Sequence, residues 1–119
     1  MNIQPVEPLI HSQLPGVQVF PLSGKMEEGQ DQQVLVVMEP NAEIPLHCHD
    51  YQASMFVVAG DADVLSDQGI VGKAMRGTKV FFEALKNHGF RAGREGMSFV
   101  SSNGGIVDFN EGKWNMRFA

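Results

Sequence analysis

Three of the four histidines in the chain stand where they could hold a metal ion. His47 and His49 flank Cys48, and His88 follows 39 residues after His49. In an extended strand, residues two apart project from one face, so a strand through this segment offers two imidazoles side by side. A third imidazole from a neighbouring strand completes a facial set of three nitrogens. A divalent transition metal accepts such a set and keeps positions open for water or substrate. The ion would lower the pKa of bound water and polarise a carbonyl or enediolate oxygen. Taken alone, the same residues also read as half-exposed or hydrogen-bonded strand histidines.

Bringing them together requires strands, and from Gly16 onward the chain reads as strands. Short runs rich in Val, Ile, Phe or Met fall at 17–20, 33–38, 43–49, 54–60, 62–66 and 70–75. The series continues at 79–82, 88–92, 97–102, 106–109 and 114–118. Between them lie turn sequences such as SDQG, MRG, KNHG, AGREG, SNGG and NEG, a spacing that predicts an all-β sandwich or barrel of about ten short strands. FFEALKNHG has the only helical character and is too short to stand alone, so it reads as a turn. Residues 1–15 form a predicted N-terminal arm, with Leu9, Ile10 and Leu14 available to cover a sheet edge. Residues 16–119 form the predicted barrel.

Composition narrows the function classes. A chain of 119 residues holds one domain, so separate cofactor and substrate domains are excluded. The net charge is −5 and no basic run occurs, which argues against nucleic acid as a partner. Cys48 is the only cysteine and cannot form an internal disulfide, so a reducing, cytoplasmic setting is expected. The longest apolar runs, 34–38 and 55–59, are far short of the ~20 residues that span a bilayer, and no membrane partner is expected.

Two motifs frame the histidines. The first reads Pro45-Leu-His47-Cys-His49, then Ala53, then Gly60; the second reads Gly77, then Glu83-Ala-Leu85, then His88. Together they resemble the cupin superfamily, whose first motif is Pro-x-His-x-His followed by Glu and Gly, and whose second is Gly, Pro-x-Gly and His. The spacing from Gly77 to His88 fits the second motif throughout. Glu83 and Leu85 replace its Pro and Gly, and Ala92 stands where Asn is common. The motifs cover residues 45–92, and the flanking strand pattern extends the likeness from Gly16. The resemblance implies a double-stranded β-helix, or jelly-roll, with one divalent transition metal (Zn, Ni, Fe, Cu or Mn) held by His47, His49 and His88.

The motif glutamate, a fourth ligand in the family, falls here on Ala53, or on Ser54 if the longer spacing applies. Gln52 is a possible fourth ligand through a bulge, although plain alternation points it outward with Ser54. Glu43 shares the parity of the histidines if Pro45 causes no bulge. Three neutral imidazoles leave the +2 charge of an ion uncompensated, which favours exogenous anions and disfavours Mg and Ca. Cys48 should face outward. Met38, Met55, Val57 and Phe90 are placed to line the pocket, while Arg91 and Arg94 read as surface. Asp108 and Glu111 are the acid or base candidates outside the motifs, and His11 has no motif around it.

These readings lead to a metal-dependent enzyme of isomerase, lyase or oxygenase type acting on a small polar or anionic molecule. A non-catalytic module binding a sugar or signal in the same barrel is the alternative. The apolar arm and the edge strands predict a homodimer.

Overall fold

The computed structural model describes residues 1–8, 14–23, 32–103 and 117–119, and every regular element among them is a strand. Val17–Pro21 forms β1 and Gln32–Met38 forms β2. Glu43–Cys48 is β3, Ala53–Ser66 is β4, Gly69–Met75 is β5 and Lys79–Phe82 is β6. His88–Asn103 is β7, and Arg117–Phe118 is the short β8. One path through the sheet runs β1-β2-β7-β3-β8, and β4 pairs with β5, β6 and β7. Every pairing is antiparallel.

Two of these strands replace four of the shorter ones expected from the sequence. The runs at 54–60 and 62–66 are a single β4, and those at 88–92 and 97–102 are a single β7. The segment AGREG is therefore a continuation of β7 and not a turn. Register shifts interrupt the β4–β7 ladder between Val57 and Ala59 and between Gly60 and Ala62. Gly60 and Gly96 both have positive φ, and a side chain on Gly60 would run into the Gly96 carbonyl. Glycine here permits a bulge, which bends a strand without ending it.

The bulges also solve an alternation problem. Along β4 the buried positions are Ala53, Met55 and Val57 before the bulges, then Ala62 and Val64 after them. Along β7 they are His88, Phe90 and Ala92, then Met97 and Phe99. The extra residues flip the parity, so both halves of each long strand keep facing the core. The bend also lets β7, paired with β4, serve two further neighbours, β3 through His88, Phe90 and Arg91, and β2 through 97–103.

Residues 83–87 form a turn, as expected. Leu14 packs against the core, whereas Leu9, Ile10 and His11 lie outside the described residues. The expected strand at 106–109 and most of that at 114–118 also lie outside them.

Candidate metal centre

His47 and His88 are direct cross-strand partners on β3 and β7. The pairing shifts register between Ile44 and His47, so Pro45 and Leu46 together oppose Gly89. This bulge turns both Ile44 and His47 inward although they are three residues apart. A Cβ on Gly89 would stand 2.7 Å from the Ile44 carbonyl oxygen, so the bulge closes only over a residue without a side chain. Glu43 would share the parity of the histidines only without a bulge at Pro45, and the bulge takes it off their face. Glu43 is exposed and lies 3.8 Å from Arg91 in an ion pair.

His49 comes one residue after the end of β3 and is half-buried. Its carbonyl accepts a 2.8 Å hydrogen bond from the Leu85 N–H, which ties the first motif to the turn that delivers His88. The candidate ligand atoms of His47, His49 and His88 all lie within 4.8 Å of one another.

The chemistry of this donor set fits a transition metal. His47 Nδ1 lies 2.7 Å from the Pro45 carbonyl oxygen, and His88 Nδ1 lies 3.0 Å from that of Lys86. A carbonyl only accepts, so Nδ1 carries the proton in each ring and Nε2 keeps its lone pair as the ligand atom. Burial pushes His47 down to about 3, opposed by the bond to Pro45 and reinforced by His88 and His49. Burial pushes His88 down to about 4, opposed by the bond to Lys86 and reinforced by His49. Both rings are therefore neutral at neutral pH, the form that binds metal.

Each histidine has an aromatic neighbour. Phe82 stacks on His88 at 4.0 Å between centroids and 18° between planes. Tyr51 stacks on His49 at 5.2 Å and 13°, and Phe118 lies 6.2 Å from His47. Burial, with Asp50 beside it, pushes the Tyr51 phenol up to about 12, so it stays protonated. Sequence reasoning missed these three rings. Tyr51 and Phe82 left a signal in their closeness to His49 and His88, but Phe118 is brought in only by the β3–β8 pairing, where it opposes His47.

The remaining candidates fall as follows. Gln52 is exposed, while Ala53 is buried and pairs across strands with Phe82. Cross-strand partners share a face, so a small residue at 53 leaves room for the Phe82 ring on His88. Met38, Met55, Val57 and Phe90 all belong to the buried core, and Phe90 lies 6.2 Å from the His88 ring. Cys48 is half-buried and outside the histidine set, and Arg91 and Arg94 are exposed. Asp108 and Glu111 lie outside the described residues.

No family model and no curated protein matches the chain. Solved structures do. A cupin-2 domain from Rhodospirillum rubrum matches with a TM-score of 0.77 at 13% identity, covering 100% of this chain and 79% of that one. The chain has the fold of a small cupin. The same fold is shared by the polyketide cyclase RemF from Streptomyces resistomycificus, with a TM-score of 0.71 at 18% identity over 84% of this chain and 73% of that one. A sugar phosphate isomerase of the cupin superfamily from Silicibacter pomeroyi gives 0.69 at 23% identity over 85% and 72%. The all-β double-stranded β-helix that the two motifs imply is thus the fold of this chain.

Proposed function

We propose that this cupin is a metal-dependent enzyme that holds one divalent transition ion (Zn, Ni, Fe, Cu or Mn) through His47, His49 and His88 and acts on a small oxygen-bearing molecule. The observation that carries this is the convergence of three imidazoles within 4.8 Å, two of them buried with Nδ1 held by backbone carbonyls. An ion in this set supplies Lewis-acid polarisation of an oxygen ligand.

The chain itself contributes ligand orientation. Pro45 and Lys86 fix the two ring orientations through their carbonyls, and Phe82 covers one face of His88. Among the described residues the cluster contains no carboxylate, so an anionic ligand would balance the charge of the ion. Shared folds with a cyclase and an isomerase are consistent with isomerase, lyase or oxygenase chemistry without choosing among them.

The second reading, a binding module without catalysis, draws on that same cluster, which contains no carboxylate among the described residues. Metal content of protein purified without a histidine tag tests the common core of both readings. Turnover of small acids and sugars with Fe, Ni and Zn then separates them.

A further inference from the structure

We infer that the rings beside the three histidines form a subsite for the flat, unsaturated body of a ligand whose oxygen-bearing head lies at the histidines. This rests on the metal reading above and deepens it by naming the ligand class. Tyr51 and Phe82 lie nearly parallel to the histidine rings they contact, at 13° and 18°. Neither is fully buried, and Phe118 is 51% exposed. Phe118 opposes His47 in the β3–β8 ladder, which places it on the same face of the sheet as the site.

A cluster of polar nitrogens bordered by partly open aromatic faces is suited to a ligand that is polar at one end and flat and apolar at the other. A sugar phosphate asks for the opposite, fixed cations and many hydrogen-bonding groups. The guanidinium next to Phe118, that of Arg117, is already paired with Asp50 at 2.6 Å. Of the three rings, Tyr51 alone carries a polar group, its phenol.

Two hydroxamates that differ only in the body test the idea. Acetohydroxamate and benzohydroxamate present the same chelating head, one on a methyl group and one on a phenyl ring. Calorimetric titration of zinc-loaded protein, with zinc content measured on the same sample, is expected to show benzohydroxamate binding about tenfold tighter. Phe118→Ala and Tyr51→Ala should each shrink that ratio to about threefold or less, while Tyr51→Phe, which keeps the ring, should retain it. Phe118 is half-exposed, so its truncation leaves the core intact, and thermal melting verifies this for each variant. Equal affinities in zinc-loaded protein, or a ratio unmoved by both alanine variants, would overturn the subsite and leave the metal centre standing. Failure to retain zinc would overturn both.

Discussion

The Nδ1 atoms of His47 and His88 are committed to backbone carbonyls, and burial keeps both rings neutral well below the usual histidine range. In the unfolded chain the same rings titrate near 6.5, so the unfolded state binds more protons between that value and about 3 to 4. Stability of the metal-free protein is therefore full above pH ~6.5 and declines as the pH falls towards 4. Urea denaturation at pH 7 and pH 5 should show a loss on the order of 1–3 kcal/mol, much reduced in the double variant His47→Gln, His88→Gln. A wild-type midpoint independent of pH over that range would contradict the neutral-ring assignment. At this scale the three-histidine cluster was legible in the residue types and their spacing. The rings around it were not, because stacking depends on which strands meet.

The elements that position the site depend on backbone conformations that alternation alone does not reveal. The bulge at Pro45 and Leu46 inverts the parity that plain alternation gives Glu43, and the glycines within β7 read in sequence as a turn although the strand runs through them. Strand locations were legible from β-branched and aromatic runs, whereas bulges share their glycine signal with turns. Gly89→Ala places a Cβ 2.7 Å from the Ile44 oxygen, and it should cost about 1–3 kcal/mol while weakening metal retention by displacing His47. Chemical denaturation and metal titration of that variant check both effects. Leu85 carries the opposite lesson. It has a φ of 64° at the motif position normally held by Gly, and its side chain is 61% exposed. Leu85→Gly should therefore raise stability by about 0.5–1 kcal/mol, the left-handed strain relieved less the added chain entropy. A lower melting temperature would contradict this.

Across the whole molecule an apolar stripe crosses the outer face. Phe20 pairs with Leu35, Leu35 with Val100, and Val100 with Phe56, which joins β1, β2, β7 and β4 in one row. Phe56, Val58 and Phe81 are 49%, 42% and 56% exposed. We propose that this face is where two copies of the chain meet, with the arm contributing at its margin. Light scattering should give a mass near twice 13.1 kDa, and Phe56→Lys should shift it towards the monomer. A wild-type mass near 13 kDa at micromolar concentration would end the dimer proposal. The arm illustrates the limit of sequence reading at this scale: Leu14 packs on its own core, but its apolar character alone does not say which copy it covers.

The most direct test of the central claim is elemental analysis of tag-free protein after reconstitution in turn with Zn, Ni, Fe, Cu and Mn. The predicted result is close to one ion per chain for at least one of these metals, with retention falling sharply in His88→Ala. Protein that folds with the same strand content yet retains none of the five would contradict the three-histidine metal centre.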